Sequence, residues 1–230
     1  YGPAEVRVAS TVLEGVDLLV RPGECFGLVG VNGAGKTSLI KCLLDFVAVD
    51  GGSIAIFGAS HRVPASRRPL SFLPDRFMAP CFLTGEEFLK YAMALQQLPY
   101  DAAQARRTLA ALDLDDSSLR LAVGKLSKGM TQKLGLAACL LANKPLLVLD
   151  EPMSGLDPKA RALFKQELAA MRARGATIFF SSHALADVDD MCDRMAILHG
   201  GRLRFVGSPD ECRRIYGSAS LEHAFMNCIG

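Results

Sequence analysis

The chain has 230 residues, half of them hydrophobic, and a formal net charge of +2; this fits one large domain able to bury about three quarters of its unfolded surface. Acids and bases are interspersed, so no basic footprint for nucleic acid is present. Seven cysteines, Cys25, Cys42, Cys81, Cys139, Cys192, Cys212 and Cys228, are scattered without a C-x-x-C pair or a histidine at zinc spacing, which suits reduced thiols acting as small buried hydrophobes in a cytosolic protein. The most apolar region, Leu134 to Leu149, is broken by Asn143, Lys144 and Pro145, and neither a signal peptide nor a membrane span is expected. A start on Tyr1 rather than Met leads us to expect a few further residues ahead of it.

Taken in chain order, "EVRVAS" near the front reads as a half-buried antiparallel strand. "CFGLV", Cys25 to Val29, is a continuous apolar run too short for most helices, hence a strand buried on both faces. Leu39, Leu43 and Phe46 recur at helical spacing between Lys36 and Phe46, and "GSIAIFG" reads as another half-buried antiparallel strand. Thr84 with Glu87 forms a capping box ahead of Phe88, Leu89, Ala92 and Leu95, and a further helix covers Asp101 to Leu112.

Three more buried strands follow at Leu146 to Leu149, Thr177 to Phe180 and Met195 to Leu198. Between the first two, Pro158 to Arg172 is a helix, with Asp157 as N-cap and Pro158 at the first helical position. Ser208, Pro209 and Glu211 start another helix, and Leu221, Ala224, Phe225, Cys228 and Ile229 form one apolar helical stripe that belongs to the core. The alternation predicts an α/β fold with a parallel sheet, an antiparallel β flank and a helical insert. We expect a single domain over residues 1–230, with a core of 1–75 and 131–230 and a helical subdomain over about 76–130.

Between the first strand and the first helix lies "GVNGAGKTS". Gly30, four intervening residues, then Gly35, Lys36 and Thr37 fit G-x-x-x-x-G-K-T in the strand-to-helix context that a phosphate loop requires. Glycines let the backbone wrap so that its N–H groups, from Asn32, Gly33, Ala34 and Gly35 through Thr37 and Ser38, converge on phosphate oxygens. The helix N-terminus adds a favourable partial charge. Lys36 reaches the β- and γ-phosphates and Thr37 ligates Mg²⁺. Downstream, "LLVLDEP" is a buried strand ending in Asp150 and Glu151 at the carboxyl edge of the sheet, where ligands sit in such folds. Asp150 suits the Mg²⁺ shell, and Glu151 suits a base that polarises the attacking water.

In "KLSKGMTQKLGLAACLLANKPLLVLDEPMSGLDP", Leu126 to Met130 resemble the LSGGQ signature of ATP-binding cassette (ABC) ATPases, just ahead of the acidic strand. Ser154 to Asp157 resemble that family's D-loop, and Ser182 with His183 its switch histidine. The resemblance covers nearly the whole chain and implies a P-loop NTPase core of the RecA-like kind. It further implies that two such domains face each other around two ATP molecules. Ser127 and the N–H groups around Gly129 then meet the γ-phosphate of the partner's ATP, Asp157 links the two sites, and His183 hydrogen-bonds the γ-phosphate and positions water. The other histidines, His61, His199 and His223, are surface or packing residues.

The chain departs from the family pattern at Lys128 and Met130, which replace a glycine and the glutamine of the signature; Lys128 is expected at the solvent rim. Asp75 in "SFLPDRF" stands where the family commonly has a glutamine, and as an acceptor it still reaches Mg²⁺ or water. Tyr1 resembles the aromatic residue on which the family stacks adenine. The resemblance implies an ATPase that docks beneath separate integral membrane permease subunits, cytoplasmic and peripheral on the inner face of the membrane. "FLTGEEFL" and the terminal "SLEHAFMNCIG" look most like bacterial exporters of drugs, lipids or polysaccharides. A soluble ABC ATPase acting on ribosomes or DNA is the alternative, and a nucleotide kinase a more distant one; nucleic acid is not expected as a partner.

Overall fold

The computed structural model describes residues 11–230; "EVRVAS" and Tyr1 lie outside them. In chain order the elements are β1 (Cys25–Val29), α1 (Lys36–Leu43), β2 (Ala55–Ile56), β3 (Ala59–Ser60), α2 (Pro64–Arg67), β4 (Leu70–Leu73), α3 (Gly85–Leu95) and α4 (Ala102–Ala111). They continue with α5 (Lys128–Ala142), β5 (Leu146–Asp150), α6 (Pro158–Ala173), β6 (Thr177–Ser182), α7 (Leu185–Met191), β7 (Arg194–His199), β8 (Arg202–Gly207), α8 (Pro209–Ile215) and α9 (Leu221–Ile229). The main sheet runs β4-β5-β6-β1-β7-β8. Its first five strands in that order are parallel, and β8 joins antiparallel at the edge. A separate antiparallel hairpin is formed by β2 and β3.

Because side chains alternate along a strand, the apolar runs divide between two cores. Phe26, Leu28, Val148, Phe179, Ala196 and Leu198 face Ile40 of α1 and Leu44 beyond it. Cys25, Val29, Leu147, Leu149, Ile178, Phe180, Met195 and Ile197 face the larger cluster, which includes Phe164 and Leu168 of α6 and Val188 of α7. Helix α5 is buried over most of its circumference, as a helix enclosed by other elements must be. It packs against α3, α4 and β4, and it runs unbroken through the expected subdomain boundary at 130/131. The Thr84–Glu87 capping box is present at α3, and the terminal stripe is core: Leu221, Ala224 and Phe225 are buried.

Four expectations change. Helix α1 ends at Leu43, not Phe46: Asp45 takes a left-handed backbone with φ 62°, and Phe46 turns out to solvent, edge-on to Phe72. "GSIAIFG" supplies only the two residues of β2, because Phe57, with φ 49°, turns the chain straight back into β3. The sheet gains β4 and β8, neither of which is a continuous apolar run. Finally, burial does not extend to every thiol: Cys139 is buried, its thiol pushed up to about 12 by desolvation, whereas Cys81 is exposed in the turn ahead of α3.

Candidate active site

The strand order places β1 between β6 and β7, so the carboxyl ends of β1, β5 and β6 converge at the point where connections diverge to either side, the usual ligand crevice of a doubly wound sheet. The loop over Gly30 to Gly35 leaves β1 there. Ala34 N–H donates to the Val31 carbonyl at 3.1 Å, Gly33 has φ 83° and Gly35 φ 109°. Helix α1 therefore starts on a left-handed N-cap with no side-chain capping bond and no acidic residue in its first turn. Its leading N–H groups thus have no side-chain acceptor from the cap, the arrangement that receives an anion. Asn32, Gly33 and Thr37 are exposed, Ser38 is half-buried and Ala34 and Gly35 are buried.

Gly30 is required for packing rather than for its dihedral. A Cβ there would lie 2.4 Å from the Leu198 carbonyl oxygen and 3.0 Å from Ala34 Cβ, so the loop would have to move off β7. Overpacking of this kind costs about 1–3 kcal/mol. Gly30→Ala is therefore expected to lower the thermal midpoint by several degrees, about 2–4 °C per kcal/mol for a chain of this size, and to weaken ATP binding because the Gly30 carbonyl moves with it. Differential scanning fluorimetry with and without ATP checks this; an unchanged midpoint and affinity would show that the close approach is not needed.

Lys36 is buried, and its Nζ donates to the Gly30 carbonyl at 2.6 Å. The same ammonium lies 3.2 Å from Glu151 Oε1. The other oxygen, Glu151 Oε2, accepts from His183 Nδ1 at 2.8 Å and from the His183 backbone N–H at 3.3 Å. Cation, carboxylate and imidazole thus form one chain drawn from three segments, α1, the end of β5 and the end of β6. The Glu151 backbone is left-handed, with φ 49°, a conformation that costs a non-glycine residue about 1–3 kcal/mol and is found preferentially at functional sites.

Ser181, which belongs to no motif of the sequence, fixes the acidic pair. Its hydroxyl is fully buried in β6, donates to Asp150 Oδ1 at 2.5 Å and accepts from the Glu151 N–H at 2.9 Å. The available signal was a polar residue directly after the apolar run "IFF" of the strand.

Asp75 lies in an exposed bend two residues beyond β4; Leu73, the last residue of that strand, is level with Leu149 of β5. This brings Asp75 to the same sheet edge as Asp150, and among the described residues no hydrogen bond holds its carboxylate. Ser127 is the N-cap of α5 and accepts from Met130 N–H at 3.2 Å. Lys128 is exposed, at the expected rim. Gly129 packs beside Gly155 in the turn ahead of α6, and an added Cβ would meet the Gly155 carbonyl at 3.6 Å. Asp157 caps α6 by accepting from Ala160 N–H at 2.9 Å, and that bond holds its carboxyl below the usual carboxylate range. Among the described residues no hydrogen bond or ion pair joins Ser127, Gly129 or Asp157 to Lys36 or Glu151. His61 is a buried packing residue bonded to the Ile54 carbonyl, and His223 bonds the cap of α9.

The donor set fits Mg²⁺ with a nucleotide. Thr37 and Asp150 offer hard oxygens, and among the described residues no group of three His, Cys, Asp or Glu converges on a metal position. An ion here would therefore complete its shell from phosphate oxygens and water, as Mg²⁺ does.

A protein-family model described as "ABC transporter" matches residues 13–154. The chain is 40% identical over 215 residues to an uncharacterized ABC transporter ATP-binding protein of Nostoc sp., covering 92% of this chain and 63% of that one. It is 36% identical over 201 residues to the Nod factor export ATP-binding protein I of Burkholderia thailandensis, covering 86% and 66%. The chain thus spans somewhat less than two thirds of the length of these curated relatives. A solved structure of the ATP binding subunit of an ABC transporter superposes with a TM-score of 0.85 at 33% identity, covering 97% of this chain and 95% of that one.

Proposed function

The chain belongs to the ABC transporter family, within the ATP-binding domains that hydrolyse ATP, and from that premise we propose that it pairs with a second such domain around two MgATP and drives separate membrane permease subunits. The observation that carries this reading is the Lys36–Glu151–His183 chain at the carboxyl edge of the sheet. It holds the cation that grips phosphate within 3.2 Å of the carboxylate that would activate water. Phosphate oxygens entering the loop compete with Glu151 for Lys36, which leaves the carboxylate turned toward water and able to take its proton. Once Glu151 carries the water's proton it can donate to His183 Nδ1, and the imidazole in its Nε2–H tautomer then donates toward the γ-phosphate. Thr37 and Asp150 would hold a Mg²⁺ ion, which neutralises charge on the transferring phosphoryl group.

The signature residues support a two-chain site. Ser127 and Gly129 open a helix of fifteen residues whose N-terminus favours an anion, yet within this chain they sit by the D-loop and not against the phosphate loop. A facing copy would bring that helix end to the γ-phosphate and Asp157 to the interface. We propose residues 76–130 as the subdomain that docks the permease: beyond Asp75, Met78 and Phe82 are 87% and 79% exposed, a large apolar surface for a solvated turn. No helix among the described residues is long and apolar enough to cross a membrane; the reading places the channel in separate permease subunits, with the chain peripheral on the cytoplasmic face. Export is the favoured direction because a 36% identical relative is named an export ATP-binding protein.

Affinity purification of the chain from detergent-solubilised membranes of its own host is expected to bring down a polypeptide with membrane-spanning helices. Recovery with ribosomes or DNA and no such polypeptide would contradict the transporter reading.

A further inference from the structure

Glu151 is held in a left-handed backbone that it would not adopt unaided, and its neighbours show what imposes it. Its N–H is taken by Ser181 of β6, and its carbonyl accepts from Ser154 N–H at 3.0 Å, closing a turn. Pro152, next in the chain, has no N–H to give. Its carbonyl accepts a hydrogen bond from Gln132 Nε2 at 3.3 Å. Gln132 is buried in α5, 7% exposed, and a buried amide is seldom spent without a partner. Next to it, Lys133 Nζ donates to the Asp113 carbonyl at 2.9 Å, just beyond α4. One helix is thus fastened both to the helical layer and to the turn that carries the carboxylate.

We propose that Gln132 is a positioning residue for Glu151: its amide fixes the Pro152 carbonyl and so keeps the turn aiming Glu151 at Lys36 and His183. This rests on Glu151 being the general base. Gln132 follows Ser127 by five residues on the same rigid helix, a rise of about 7 Å. A displacement of the helix start by a phosphate would therefore reach the backbone beside the base.

A double-mutant cycle tests it. Gln132→Met keeps the volume and loses the donor, and loss of one hydrogen bond of this kind is expected to lower kcat about three- to tenfold, with KM for ATP changed less than about twofold, since the phosphate loop is untouched. In the Glu151→Gln background the same change is expected to alter the residual rate less than about twofold, because a residue acting through Glu151 has nothing left to act on. An equal loss in both backgrounds, or no loss in the wild type, overturns the proposal while leaving the base assignment intact; full activity in Glu151→Gln alone overturns both. Should Gln132→Met not fold, Gln132→Glu keeps the shape and donates only when protonated, which burial favours. Its rate relative to wild type is expected to rise as the pH falls, and a ratio flat with pH overturns the proposal.

Discussion

Glu151→Gln is expected to slow MgATP hydrolysis by about 10² to 10⁴-fold, the usual contribution of a positioned base, while ATP remains bound. The substitution is nearly isosteric. Its amide oxygen can still face Lys36 Nζ, which lies 3.2 Å from Glu151 Oε1, and its NH₂ can face His183 Nδ1, at 2.8 Å from Oε2, with loss of the long bond that Oε2 accepts from the His183 N–H at 3.3 Å. The ring then takes the tautomer in which Nδ1 accepts. What the amide lacks is the capacity to take a proton from water. Because Lys36, Thr37 and Asp150 are untouched, nucleotide titration should give an affinity close to wild type. Phosphate release at the wild-type rate would remove Glu151 from the role of base.

Lys36→Ala is expected to abolish measurable hydrolysis and to raise the Kd for ATP by about 30-fold or more, the lower end of what truncating a desolvated charged partner costs. The structure adds a consequence for stability. The lysine is 6% exposed and neutralises a carboxylate only 14% exposed; removing it leaves the half-buried Glu151 with His183 alone. Breaking a fully buried pair from one side costs about 3–5 kcal/mol, an upper bound for this half-buried carboxylate, so the variant should melt below wild type. The double variant Lys36→Ala/Glu151→Gln should recover most of that loss, since no uncompensated anion remains, without recovering ATP binding. Isothermal titration and thermal denaturation on the three proteins separate the two effects; equal melting of single and double variants would show that the pair does not matter to the fold.

The parts of this molecule that could be read from its sequence share a physical property: their information is local. Strands β1, β5, β6 and β7 are covered on both faces, so burial forces continuous apolar runs such as "CFGLV" and "LLVL". Strand β4 is also parallel, but Ser71 interrupts it and arginines precede it, and its pairing with β5 is made to a segment more than seventy residues away. Strand β8 alternates exposed Arg202 and Arg204 with buried Phe205 and Gly207, as an edge facing solvent does. Helix α7 is short and acidic, with Val188 and Asp187 its buried residues, too few for a periodic signal.

The site divides in the same way. Lys36, Thr37, Asp150 and Glu151 could be read because the phosphate loop and the strand-end carboxylates have fixed local spacing. Ser181 and Gln132 could not, because their partners lie 31 and 20 residues away, and a serine in a strand or a glutamine in a helix carries no mark of what it will touch. The left-handed backbone of Glu151 was equally hidden: it arises where β5 stops, with its N–H bonded to Ser181 of β6, its carbonyl to Ser154 N–H, and the next carbonyl, of Pro152, to Gln132 of α5.

In the proposed function nucleotide joins two copies of this chain through the α5 helix end. Light scattering on Glu151→Gln, at high protein concentration and with excess MgATP, measures it most directly. The expected result is a mass of about twice the 24.7 kDa chain with ATP, the monomer mass without it, and the monomer mass with ATP when Ser127→Arg is added to block the γ-phosphate seat. A dimer that forms equally without nucleotide, or that survives Ser127→Arg unchanged, would contradict the claim.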